Sequence, residues 1–198
     1  MDDSCPTTGE PICRCNNQHP NHLQPKPKDT LRKLFTDHAV YTHEFIKSYL
    51  DNLPETELLK TRLLANQTEI GQYFGMYLGD DVGTTIGSLF TEHIIKAAGL
   101  VTALNTATTT EEVEPYIDEL ADNVRDVAID VSKLSDGKLS EEEVGSEFAK
   151  HNLYVVQLAA LHKNKQYEEE IKTYDEYYTH MLSFSDMLCY GLLKSCDV

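Results

Sequence analysis

Six side chains of metal-binding type fall where helices would turn them inward: His38, His93, His151 and His180, with Glu69 and Asp126 as the carboxylates nearest in pattern. Imidazole with carboxylate suits zinc, iron or manganese, and the facing helices of a bundle are where such ligands converge. Each histidine lies within an apolar stripe of three- and four-residue spacing, so each must find a polar partner. Left unpaired and buried, such a group costs about 1–3 kcal/mol. Asn66 stands three residues before Glu69 and Asn123 three before Asp126, a spacing that puts each pair on one helix face. Two readings stand open: hydrogen-bonded residues of a polar core, or ligands of a metal ion. No Glu-x-x-His occurs, so the ferritin-type di-iron pattern is absent.

A second set of donors lies near the start of the chain, where Cys5, Cys13, Cys15, His19 and His22 fall within eighteen residues. Four of them would close a tetrahedral zinc site. Their Cys-x-Cys-x3-His-x2-His spacing matches no common finger, and Pro6, Pro11, Pro20, Pro25 and Pro27 interrupt a segment nearly free of apolar residues. Residues 1–29 therefore read as a tail, either disordered, clipped by zinc, or with a redox-active or partner-dependent role.

What must position the inward histidines is a set of helices over residues 30–198. Asp29 or Thr30 caps the first, whose stripe runs Leu31, Leu34, Phe35, His38, Tyr41, Phe45, Ile46, Tyr49. Pro54 ends it, and the second carries Leu58, Leu59, Leu63, Asn66, Ile70, Tyr73 and Phe74. Gly79 stops that helix and Asp80-Asp81 cap the third, with Ile86, Phe90, His93, Leu100 and Val101 inward. Thr110 with Glu111-Glu112 opens a fourth, Ser140 and Glu143 form a capping box for a fifth, and Lys163-Asn164-Lys165 breaks it from a sixth. The expectation is an all-α bundle of six helices. A shift of 57 lays Asn66 on Asn123, and one of 58 lays Phe90 on Phe148 and His93 on His151. This internal repeat suggests two pseudo-symmetric three-helix halves, with helices two, three and one matching four, five and six, and His38 matching His180.

The formal net charge of -16 opposes binding to nucleic acid or an anionic membrane, both of which need clustered Lys and Arg. Residues 111–147 alone hold 13 acidic and 3 basic residues, a solvated face or a docking surface for a basic partner. No apolar run is long enough to span a membrane, and no signal segment opens the chain. Five cysteines, all near the ends, argue against a disulfide framework and fit an intracellular, reducing compartment. Phosphate-loop, dinucleotide and nucleophile-elbow motifs are all missing.

The segments Leu31-Arg32-x-Leu34-Phe35-x-x-His38, Leu63-Leu64-x-Asn66-Gln67-x-Glu69-Ile70-Gly71, His93-Ile94 and Tyr174-Asp175 through His180 to Asp186-Met187-Leu188 resemble a set of uncharacterised all-helical proteins of bacilli and relatives. Those proteins often carry the label acetylglutamate kinase. The resemblance covers most of the helical part and implies its fold and histidine pattern, without an activity. Amino-acid kinases are α/β proteins with glycine-rich nucleotide loops, which these residues do not supply. In the resembling proteins a tryptophan stands where this chain has Phe35, and the segment 135–139 is more apolar. The expected function is a non-enzymatic structural or partner-binding bundle within a larger assembly. The alternative is a metal-binding bundle or metalloenzyme using iron, zinc or manganese.

Overall fold

A computed structural model describes residues 26–193 and 196; the donors Cys5, Cys13, Cys15, His19 and His22 lie outside them. Six helices follow one another: α1 Pro27–Leu50, α2 Thr56–Leu78, α3 Asp80–Thr106, α4 Glu114–Leu134, α5 Glu141–Lys163 and α6 Tyr167–Leu192. Among the described residues there is no strand. The all-α six-helix bundle read from the apolar periodicity is the fold found.

Two helix starts differ from expectation, and proline is the cause of both. α1 begins at Pro27 rather than at residue 29 or 30, and α4 begins at Glu114, with Pro115 in its first turn, rather than at Thr110. A proline in the first turn loses no hydrogen bond and already has a helical φ, so it opens a helix instead of blocking one. Asp80 and Asp81 lie in the first turn of α3 without capping it, the capping position being taken by Gly79 at φ 98°. The capping box is present: the Glu143 amide donates to Ser140 Oγ at 3.1 Å and the Ser140 amide to Glu143 Oε2 at 2.9 Å. Replacing Ser140 by Ala should cost about 1 kcal/mol in urea unfolding, and an unchanged midpoint would mean that the cap contributes nothing.

The helices form a closed ring. Each packs on the next, α6 returns to α1, and α1 and α3 also touch α5 across the middle. The closure between α6 and α1 is polar at the rim, where Arg32 Nε donates to Asp186 Oδ1 at 2.7 Å and Lys28 Nζ lies 3.1 Å from Asp186 Oδ2. The tightest joint is α2 on α3. A Cβ on Gly71 would lie 2.6 Å from the Gly83 carbonyl oxygen, and one on Gly83 would lie 2.6 Å from both the Gly71 oxygen and Gly75 Cα. The two backbones are therefore in contact, a few residues from Gln67 on one helix and Phe90 on the other.

The main core cluster runs from Leu31 and Phe35 through Ile70, Phe74, Phe90, Val127 and Phe148 to Tyr177, Phe184 and Leu188, and a smaller one gathers Leu100, Val113 and Leu120. Beyond α6, a disulfide joins Cys189 to Cys196 across a separation of seven residues. The cysteine pattern had pointed to reduced thiols; this bridge is a local clip on the last helical turn, which an odd total with three cysteines in the tail conceals. Among the described residues no helix is long and apolar enough to cross a membrane.

Candidate functional site

The ring brings three of the expected histidines together because the odd helices repeat a short phrase. Leu34-Phe35-Thr36-Asp37-His38 on α1 returns as Leu89-Phe90-Thr91-Glu92-His93 on α3 and, more loosely, as Glu147-Phe148-Ala149-Lys150-His151 on α5. Phenylalanine and histidine three apart share a helix face, so each odd helix points the same pair inward. The phenylalanines make an aromatic layer with Phe184: Phe35 to Phe184 5.7 Å, Phe90 to Phe148 5.7 Å and Phe148 to Phe184 4.8 Å between ring centroids, all near edge-to-face.

One turn further on lies the imidazole layer. His151 is its middle, with ring centroids of His38, His93 and His180 at 5.3, 5.6 and 6.4 Å. All four are at most 5% exposed. A cavity of about 20 Å³ separates this layer from the phenylalanines, and a second of about 20 Å³ lies on its other side among Thr42, Phe45 and Val155; His38 and His151 line both.

The even helices hold the rings through Nδ1. His93 Nδ1 donates to Asn123 Oδ1 at 2.9 Å, which fixes the tautomer and leaves Nε2 an acceptor with no partner. His151 Nδ1 lies 3.2 Å from Met181 Sδ. His38 Nδ1 lies 3.1 Å from the Gln67 amide nitrogen, which also faces Leu63 O and Asn66 Oδ1 at 3.0 and 3.1 Å. Two amide hydrogens cannot serve three acceptors, so this corner is over-subscribed. Of the six buried side-chain nitrogen and oxygen atoms without a hydrogen-bond partner among the described residues, four belong to His93, His180 and Tyr177, around His151.

Burial decides the charge of these rings. Desolvation, reinforced by the neighbouring His93, lowers the pKa of His38 to about 3, and desolvation takes His93 to about 4 against the help of Asn123 and Asn152. His151 is pushed well below the ordinary value by burial and then by the three imidazoles around it. His180 is lowered by burial too, with Glu147 pulling the other way. At neutral pH the layer is uncharged.

The expected carboxylates are not in it. Glu69 is partly exposed on the surface, 3.1 Å from Arg62 Nη2, and Asp126 is exposed. On α2 the inward positions are Leu63, Asn66, Gln67, Ile70 and Phe74, and Glu69 falls beside that face rather than on it. Asp126 stands in the same relation to Asn123 and Val127 on α4. Among the described residues, no group of three or more His, Cys, Asp and Glu stands so that it could hold a metal ion.

Among the described residues, the buried carboxylate is elsewhere. Glu170, 4% exposed, meets His43 Nε2 at 2.7 Å and His162 Nδ1 at 3.0 Å, and His162 Nε2 reaches Asp51 Oδ2 at 3.2 Å. The His43 ring stacks on Tyr174 at 4.4 Å, and burial holds its pKa down more than Glu170 raises it. This chain of groups ties the end of α1 to the end of α5 and the start of α6. Sequence reading passed over it because a glutamate in the first turn of a helix resembles a solvated one placed for the helix dipole.

No protein-family model matches the chain, and neither a curated protein nor a solved structure matches it. The ring itself gives the internal comparison. It consists of three hairpins, α1 with α2, α3 with α4 and α5 with α6, each pairing an inward histidine with a polar residue on the even helix: Asn66, Asn123, then His180. The match of α2 and α3 to α4 and α5 extends to a third hairpin, so the expected two halves, with α1 matching α6 and His38 matching His180, give way to three units. His38 thus corresponds to His93 and His151, and His180 to the two asparagines.

Proposed function

We propose that this protein binds a single late first-row transition-metal ion, such as zinc, at the centre of its bundle through His38, His93 and His151, and that it is a binder rather than a catalyst. The observation that carries the reading is the His93 ring: Nδ1 is fixed by Asn123, while Nε2 is buried and makes no aligned hydrogen bond, the Asn152 side chain being the polar group near the ring. Histidine ligands are commonly held this way, with the second nitrogen tied to an outer partner. Imidazoles must also be neutral to ligate, and burial already keeps these so. Spaces of about 20 Å³ adjoin the His38 and His151 rings on both faces of the layer, and binding an ion there requires those rings to turn toward one point and the Gln67 amide to turn so that His38 Nδ1 donates. Those spaces hold an ion or a water and exclude an organic substrate. Three neutral nitrogen donors without a carboxylate favour zinc, nickel or copper over manganese.

The test is zinc titration of the full chain with Cys5, Cys13 and Cys15 changed to Ser and His19 and His22 to Ala, so that the tail is silent. One ion per chain is expected, abolished by His151→Leu and retained by His162→Leu, while Asn123→Ala should weaken binding about 10–100-fold. A folded chain that takes up no zinc overturns the reading. That outcome would favour the second one, a metal-free scaffold whose acidic residues 111–147 face a basic partner.

A further inference from the structure

The third hairpin departs from the other two at two positions that meet. Four residues before the histidine, α1 and α3 carry Leu34 and Leu89, whose carbonyl oxygens accept from the Asn66 and Asn123 side chains at 3.0 and 3.4 Å. α5 carries Glu147 at that place, and α6 answers with His180 in place of asparagine. An apolar residue over an amide has become an ionisable pair, with His180 Nδ1 3.3 Å from Glu147 Oε2. That separation is an ion-pair distance without hydrogen-bond alignment, and both ring nitrogens of His180 are buried without an aligned partner, the Glu147 main-chain carbonyl lying near the ring as the Leu34 and Leu89 carbonyls lie by the asparagines. The His180 side chain is 2% exposed and that of Glu147 36%, so the pair leads from solvent inward.

Over it opens a cleft of about 490 Å³ between α5 and α6, walled also by Lys150, Tyr154, Asp175 and Glu176. Three carboxylates against one ammonium give the cleft a negative balance that draws cations. His180 has this cleft on one side and the His151 ring on the other.

We infer that the α5–α6 cleft is the entrance through which a divalent transition-metal ion reaches the central imidazoles, with Glu147 and His180 as its capture pair. The inference rests on the metal reading above. One imidazole and one carboxylate hold such an ion more weakly than three convergent imidazoles, so an ion caught here moves on. The other two hairpins offer no counterpart, because leucine and asparagine close the same place.

The experiment gives the third hairpin the residues of the other two, Glu147→Leu with His180→Asn, in the full chain with the tail donors removed. Zinc uptake is followed by stopped flow against a chromophoric chelator, and affinity by equilibrium competition with the same chelator. Uptake and release should both slow about tenfold or more, leaving affinity unchanged, as expected for a site on the path rather than at its end. Unchanged rates in a variant that still binds zinc overturn the entrance alone. Weaker affinity through faster release makes the pair a ligand and overturns it too, whereas a parent chain that binds no zinc removes both readings together. Should the double variant misfold, Glu147→Gln keeps the shape and should slow uptake about threefold, with a shallower salt dependence; a rate equal to the parent's counts against the inference.

Discussion

Metal-free protein is expected to lose most of its stability between neutral pH and about pH 5. His38 and His93 titrate near 3 and 4 in the folded chain, against an ordinary value of 6.5 once unfolded. Between those limits the unfolded chain binds protons that the folded chain refuses. Stability therefore falls as pH drops below 6.5, and it is level above. Each of the two contributes about 2 kcal/mol by pH 5, at 1.36 kcal/mol per pH unit, and His151 adds in the same direction. Against a total of about 5–15 kcal/mol for a domain, that is enough to bring the unfolding transition within reach. Urea midpoints at half-unit steps of pH provide the measurement. A flat profile down to pH 4 would mean that the imidazoles are hydrated, and His93→Leu should flatten the profile by one proton's slope.

A single methyl group on α3 should cost about as much as one of those imidazoles. The Cβ of Gly83→Ala would have to sit 2.6 Å from the Gly71 oxygen and from Gly75 Cα, both backbone atoms that cannot swing aside. The helices must part, and overpacking of that kind costs about 3 kcal/mol against the roughly 1 kcal/mol that alanine returns as the better helix former. Gly75→Ala is the control, since its Cβ would meet Gly83 Cα at an ordinary 3.5 Å. It should be neutral or stabilising by thermal unfolding, and equal effects from the two substitutions would show that α2 and α3 do not touch.

Most of the scaffold was legible because its signals are local. Apolar periodicity, Gly79, the Ser140 capping box and the break at Lys163 to Lys165 each act within a turn or two of chain, and they gave six helices with ends close to those found. The inward histidines were legible for the same reason, since a polar residue in an apolar stripe is visible without knowing what it faces. Their carboxylate partners were not. Residues three apart share a face only to within about 60° of rotation, and that remainder puts Asn66 in the core and Glu69 beside Arg62 at the surface. Glu170 shows the converse: its burial comes from His43 and His162 on other helices, information that no stretch of α6 contains. The threefold order could have been read from Leu34 to His38 against Leu89 to His93, a shift of 55 that the longer and gapped match at 57 and 58 obscured.

Because the ring is assembled from three hairpins and each odd helix donates one imidazole, its centre is shared property. During synthesis His38 and His93 leave the ribosome well before His151, and α6, which closes on α1, is the last of the helices. Until then two desolvation-prone rings wait in water with one wall missing. A chain cut short after α4 would hold two of the three proposed ligands and lack two of the six helices that enclose them, so on the metal reading occupancy of the centre would report that α6 had been made and docked.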